Sequence, residues 1–259
     1  MTATKLEAVF SPAEFAALRE RDLSRTVCVV FDVLRATTSM VSALASGAEA
    51  IIPVGEISEA LAIRQQRPQV LLAGEREGLR IRGNLTGGVD FDLGNSPREF
   101  TAEKVQGRTI VMTTTNGTRA LRACSGARAV LVSCFLNLRA TYLWLMEQRP
   151  ANLVLVCSGT FEEAALEDVL AAGAVCERVW PLFGGGHISD SAEIARRIYP
   201  LMQYDLLGAM KHSRNGRRLL ANLDMADGVA FCLQRDQFNL VAELQPDGFV
   251  RRRPQGNPA

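Results

Sequence analysis

Apolar residues in this chain come in short bursts separated by polar turns and amphipathic stretches. Val27 to Phe31, Ala50 to Val54, Val70 to Ala73, Thr109 to Met112, Ala129 to Cys134 and Leu153 to Cys157 are such bursts, rich in β-branched side chains. Continuous runs of this length fit strands buried on both faces. Helices are predicted between them. SPAEFAALRERD carries Ser11 as cap and Pro12 at the first helical position. Thr38 to Ser46 is stopped by Gly47, and Ile57 to Gln66 follows the second burst. Arg119 to Ala123 begins another helix, SGTFEEAALEDVLAAGAVCERV reads as one amphipathic helix, and Ser189 to Ile198 reads as a helix stopped by Pro200. Strand, polar turn, helix, strand is the rhythm of a parallel α/β sheet. Lys5 to Phe10 is expected as an edge strand, and Gly228 to Leu233 and Leu240 to Leu244 as small antiparallel strands.

The rhythm breaks between Gly78 and Pro97, a glycine-rich stretch without helical period, and a loop of that length is functional or mobile. A weak boundary near Gln148 to Ala151 allows two lobes, 1–148 and 149–253, within one domain. The end from Arg251, and residues 254–259 above all, is expected as a disordered tail.

Composition narrows the function classes. With 47% apolar and 22% charged residues, 29 basic against 28 acidic side chains and a net charge of +1, the chain lacks the basic excess of a general nucleic-acid or membrane-surface binder. The first residues lack the apolar core of a signal peptide, and no apolar run reaches membrane-spanning length. Six cysteines scattered through apolar runs without a CxxC pair read as reduced, buried thiols, so a cytoplasmic location is expected.

Several strand ends carry polar groups: Asp32 with Arg35, Glu75 with Arg76, Thr113 to Thr118, and Ser158 with Gly159. In open parallel sheets, ligands bind beyond the carboxyl ends of strands, so these groups would share one rim. Hydroxyls, glycines and helix-start N–H groups suit an anion, and arginines supply a fork matching phosphate or sulfonate. Carboxylates in that rim would repel the anion unless a divalent cation, for which Mg²⁺ is the natural candidate, lies between. The structural alternative has Asp32 capping the next helix with Arg35 as its local partner.

Other chemistries find no support. There is no P-loop, no GxGxxG and no Cys-x5-Arg loop, and only His187 and His212 are present for a histidine-rich zinc centre. Cys157 reads as core, and His187 as a loop residue after the Gly184 to Gly186 turn. Arg217, Arg218 and Arg251 to Arg253 read as solvated surface. On pattern alone, Glu163 and Glu167, with Asp168 beside them, read as an acidic solvent face before a metal site.

The ordered set FDVLRATTS (31–39), GEREGLRIRG (74–83), GNSPRE (94–99), TTTNGTRAL (113–121), CSG (157–159), ALEDVLAAG (165–173), SRNGRRL (213–219) and DGVAFCLQRD (227–236) resembles the 2-phosphosulfolactate phosphatase (ComB) family over nearly the whole chain. The resemblance implies a layered α/β/α fold with a largely parallel sheet. It also implies a Mg²⁺-dependent acid phosphatase converting 2-phospho-3-sulfolactate to 3-sulfolactate and phosphate, a step in coenzyme M biosynthesis. One departure is Asn84 to Val89, extra sequence that should lengthen the loop beside the site.

Under this reading Asp32, Glu167 and Asp168 hold the metal directly or through water. Arg35, Arg76 and Arg119 take anionic oxygens, helped by Asn95, Ser96, Thr115, Asn116, Gly117, Thr118, Ser158 and Gly159. Metal-bound water, with Asp32 or Glu75 as base, is the preferred nucleophile, and attack by Asp32 itself is the alternative. The expected partner is a small anionic phosphorylated substrate, with no nucleic acid and no membrane; a homo-oligomer is left open. A reading from another class keeps the pocket and drops the chemistry: a sensor or carrier of a small anionic metabolite.

Overall fold

The computed structural model describes residues 4–254; the expected tail at 255–259 lies outside the described residues. The strands are β1 (Lys5–Val9), β2 (Thr26–Phe31), β3 (Ala50–Val54), β4 (Leu71–Arg76), β5 (Leu79–Arg80), β6 (Thr109–Thr113), β7 (Ala129–Ser133), β8 (Asn152–Cys157), β9 (His187–Ile188), β10 (Ala242–Leu244) and β11 (Val250–Arg252). They form one sheet in the order β5-β4-β6-β3-β11-β10-β7-β2-β8-β1-β9. Two parallel blocks, β4-β6-β3 and β7-β2-β8-β1-β9, are joined by the antiparallel hairpin β10–β11. The fold is a layered α/β/α with a largely parallel sheet.

Alternation along the central strands explains the layers. Val27, Val29 and Phe31 of β2 enter one core with Leu153, Leu155 and Cys157 of β8. Cys28, Val30, Val154 and Val156 enter the core on the opposite face. A strand with both faces covered needs apolar residues at every position, which is the run seen in the sequence. All six cysteines are buried and free, and burial pushes the Cys157 thiol up.

Several expected elements differ. β1 lies between β8 and β9, so the edge belongs to His187–Ile188, a strand where a loop was expected. The helix expected from Ser158 starts at Leu166 and runs to Val179. Residues 158–165 instead form a strap in which Phe161 and Glu162 take left-handed backbone. Gly228 to Leu233 is not a strand: 223–232 is helical, with Val229, Cys232 and Leu233 buried at helical spacing. The helix Asp190–Met202 continues through Pro200, carried by Ala192, Ala195 and Tyr199 packed into the core. Arg251, expected in the tail, belongs to β11.

Candidate active site

The two parallel blocks place their carboxyl ends toward each other. Within each block the ends are neighbours: Asp32 and Ser158 follow the adjacent β2 and β8, while Glu75 closes β4 beside Thr113 of β6. Five strand steps separate β6 from β2, and sheet twist of about 20–25° per step accumulates to roughly 100–125°. The hairpin makes the two blocks run in opposite directions, and residues from both rims line one cleft. A cleft at their junction is lined by Asp32, Arg35, Glu75, Asn95, Thr115 and Asn116, together with Thr160, Phe161, Asn215 and Arg218.

Asp32 serves the helix and the cleft at once. Its Oδ1 accepts the Ala36 N–H at 3.0 Å, and its own N–H donates to Thr37 Oγ1 at 2.9 Å, which caps helix Ala36–Ala45. Arg35 is not its ion partner; Arg35 reaches instead to the Gly78 carbonyl at 3.0 Å. Gly117 lies against Asp32 and has no room for a side chain: a Cβ there would stand 2.8 Å from Asp32 Oδ2 and 2.5 Å from Ala36 Cβ. Burial is the main cause that lifts the Asp32 carboxyl to about 6, with the negative charges of Glu75 and Glu167 adding to it.

Three further carboxylates surround it. Glu75 is fixed, its Oε1 accepting from Thr115 N–H at 2.9 Å and Thr115 Oγ at 3.0 Å, its Oε2 from Gly78 N–H at 2.7 Å. Asp168 is likewise fully engaged: Oδ1 accepts from Val33 N–H at 2.8 Å, and Oδ2 from Ser158 Oγ at 3.1 Å and Gly159 N–H at 3.2 Å. Asp168 therefore ties the ends of β2 and β8 together through Ser158 and Gly159, and the Ser158 side chain also hydrogen-bonds Asp32. Burial pushes Asp168 well up, reinforced by Asp32 and Glu167. Glu167, only 1% exposed, accepts from Asn215 Nδ2 at 2.7 Å through Oε1, while its Oε2 is buried without a partner. Burial raises its carboxyl too. The acidic solvent face expected here is wrong for Glu167, since the helix start is packed under the strap.

The basic half of the cleft is Arg35 and Arg218. Arg35 is 7% exposed, and burial lowers its pKa, with Arg218 pushing the same way. Two guanidiniums that repel each other across a cleft make a seat for an anion. Asn95 adds a buried amide oxygen with no partner. Arg218, read from sequence as solvated surface, is exposed but borders the cleft. SRNGRRL carried the signal for Asn215 and Arg218: Ser213 caps helix Arg214–Leu220, which aims its first turn at Thr160 and Glu167.

Not every expected residue joins them. Arg76 and Arg119 border a neighbouring groove instead. Glu75 and Arg76 are consecutive on a strand, so their side chains leave opposite faces. Thr118 is fully buried and donates to the Thr114 carbonyl at 3.0 Å, and Ser96 starts the turn Pro97–Glu99. Asn84 to Val89 does not border the cleft. It supplies most of the short helical turn Gly83–Thr86 and the three residues after it, pinned at the base by the Arg82–Asp90 ion pair at 3.0 Å.

A family description, 2-phosphosulpholactate phosphatase, matches residues 14–247. The chain belongs to this family. A protein of Caldanaerobacter subterraneus subsp. tengcongensis named probable 2-phosphosulfolactate phosphatase is 37% identical over 241 residues, covering 92% of this chain and 95% of its own. Proteins of the same name from Thermotoga petrophila (38% identical, 86% of this chain and 90% of theirs) and a Synechococcus strain (39%, 84% and 88%) are similar over nearly the same span. The 2-phosphosulpholactate phosphatase family region thus takes in every side chain of the cleft, from Asp32 to Arg218. Among the described residues no helix is long and apolar enough to cross a membrane.

Proposed function

We propose that the chain is a phosphomonoester hydrolase whose substrate is 2-phospho-3-sulfolactate, and that Mg²⁺ is its cofactor. The observation that carries this reading is the division of one cleft into a basic half, Arg35 and Arg218, and an acidic half, Asp32, Glu75 and Glu77, with Glu167 buried behind Asn215. A substrate bearing phosphate, carboxylate and sulfonate needs guanidiniums for its oxygens, and its family relatives carry the name of that activity.

The donor set fits Mg²⁺. Among the described residues no cluster of three or more His, Cys, Asp or Glu is arranged to hold an ion. Mg²⁺ does not need one: it prefers oxygen donors and keeps several waters, taking one or two carboxylates. The unpartnered Glu167 Oε2 would hold it, and Asp32 would hold it through water, with Asp168 setting the backbone around them. When bound, the ion supplies positive charge to the phosphoryl oxygens and relieves the crowding of carboxylates.

The chain's own part is positioning and proton transfer. Arg35 and Arg218 draw the ester into the cleft and spread its charge, which is most of what phosphoryl transfer requires. Water attacks phosphorus; the new O–P bond forms as the ester O–P bond breaks. Asp32 takes the proton of the attacking water, and the departing hydroxy-acid oxygen takes one from solvent. Asp32 is favoured over Glu75 as base because both Glu75 oxygens already accept hydrogen bonds.

Phosphate release from 2-phospho-3-sulfolactate and from p-nitrophenyl phosphate, each with Mg²⁺ and with EDTA, tests the reading. Release with Mg²⁺ that EDTA abolishes is expected. Tight binding of sulfolactate without phosphate release under either condition would make the protein a metabolite binder.

A further inference from the structure

Behind the wall formed by Glu75 and Thr115 lies a second polar groove, bordered by Arg19, Arg76, Arg119, Arg122, Thr114 and Thr115. Thr115 faces both cavities, and its bonds to Glu75 Oε1 close the wall between them.

Arg76 is the centre of this groove. Its Nη1 donates to the Glu75 carbonyl at 2.8 Å, and its Nη2 to Thr113 Oγ1 at 3.1 Å and the Gly55 carbonyl at 3.4 Å. All three acceptors are neutral. Among the described residues no carboxylate lies within ion-pair distance of Arg76, so the guanidinium is oriented while its charge stays uncompensated. Arg19 is exposed and also lacks an acidic partner there.

The other two arginines are engaged only at the surface. Arg119 pairs with Glu162 at 2.9 Å, both about half exposed, and Arg122 pairs with Glu59, also in solvent. Exposed pairs of this kind are worth about 1 kcal/mol or less and exchange readily for a better anion. Gly55 leaves Arg122 space along the groove wall, because a Cβ at Gly55 would stand 2.6 Å from Arg122 Nη1.

An independent observation points to a ligand. Thr114 is 3% exposed, lines the groove, and its hydroxyl has no hydrogen-bond partner. Buried hydroxyls are nearly always satisfied. One carboxylate, the exposed Glu56, also borders the groove, so the site is basic in balance and not uniformly so.

We propose that this groove is a second anion site, separate from the catalytic cleft, taking a doubly charged tetrahedral oxyanion of the phosphate or sulfate type. A dianion is favoured over a monoanion because it must compete with Glu162 and Glu59 for Arg119 and Arg122. The proposal does not rest on the substrate or the metal assigned above.

Calorimetric titration of the full chain with inorganic phosphate, sulfate and methanesulfonate at low ionic strength tests it. Two phosphate-binding events are expected. In the Arg19→Gln/Arg122→Gln variant one event should weaken by about tenfold or more while the other persists, since each guanidinium contributes a charge-assisted bond. In Arg35→Ala the reverse event should be lost. Both substituted groove residues are exposed, and the thermal midpoint checks folding; if the double variant unfolds, Arg19→Gln alone serves. Sulfate matching phosphate in the groove marks a general dianion site, and phosphate alone binding there marks a phosphate site. Methanesulfonate binding as tightly as the dianions, or no phosphate event that weakens in the Arg19→Gln/Arg122→Gln variant, overturns the proposal, whereas a single wild-type event that does weaken there supports it. Absence of phosphatase activity with the groove event intact would refute only the functional reading.

Discussion

Asn215 donates to Glu167 Oε1 at 2.7 Å and, through the same amide nitrogen, to Thr160 Oγ1 at 2.9 Å. This one side chain links a helix near the end of the chain to the strap and to a buried carboxylate. Glu167 Oε2 is left free on the other side.

Asn215→Ala should therefore loosen Glu167, whose Oε1 its amide nitrogen holds. Partners of this kind around a metal ligand are worth about 10–100-fold in metal affinity or activity. The expected result is a rise in the Mg²⁺ concentration needed for half-maximal rate, with KM for the ester nearly unchanged. A Mg²⁺ titration of phosphate release reads it, and an unchanged Mg²⁺ requirement would remove Asn215 from this role.

Asp32→Asn keeps the oxygen that accepts from Ala36 N–H but removes the base. Turnover should fall by about 10²–10⁴-fold, the usual contribution of a positioned proton acceptor. Its far-ultraviolet spectrum should match the wild type. Near-normal turnover would move the proton transfer elsewhere.

Stability should depend on pH with an unusual sign. The folded-state carboxyls of Asp32, Glu167 and Asp168 all lie above their ordinary values, that of Asp32 at about 6. The folded chain therefore binds protons more tightly than the unfolded chain. Their contribution is fully present below the unfolded carboxylate range and is lost as pH rises through about 6. Glu7 and Asp90, whose carboxyls are lowered by arginine partners and hydrogen bonds although burial pushes Glu7 the other way, oppose this only in stronger acid. In EDTA the melting temperature should thus fall between about pH 5 and pH 7.5, on the scale set by these pKa values. Asp32→Asn should flatten that fall, and Mg²⁺ should restore stability at neutral pH. A melting temperature that climbs steadily over the same range would contradict the cluster's role.

Arg35→Ala and Arg218→Ala should raise KM more than they lower kcat, since both face the ester. Arg218→Lys should not rescue fully, because an ammonium lacks the planar fork. Steady-state kinetics on 2-phospho-3-sulfolactate separates the two constants.

Leu85→Ser and Val89→Ser probe the extra segment. Both side chains are exposed, at 52% and 41%, and neither borders the cleft. Kinetic constants should stay within about twofold, as expected of surface substitutions. A larger change in KM would bring the segment back to the site.

Much of the layered fold is legible in the letters because both-face burial demands unbroken apolar runs: β3 and the helix Ile57–Gln66 have the expected bounds. The errors have local causes. Gly228 to Leu233 mixes apolar and small residues in a way that suits either period, and packing of Val229 and Cys232 chose the helix. Glu167 looked solvent-facing because helical spacing cannot say which face a strap will cover. Arg76 was expected at the anion on the same rim as Glu75, yet strand alternation sends the two apart.

By itself the sequence determined the order of strands and helices, the polar residues at their ends and the family, since these depend on local pattern and on motifs in sequence order. Tertiary structure alone decided which ends meet. The helix Arg214–Leu220 packed on the strap brings Arg218 to the cleft of Asp32, and the opposite-running blocks leave Arg76 and Arg119 in a groove of their own. The physical reason is that a side chain's environment is fixed by elements far from it in the chain, and Asn215 and Glu167 are 48 residues apart.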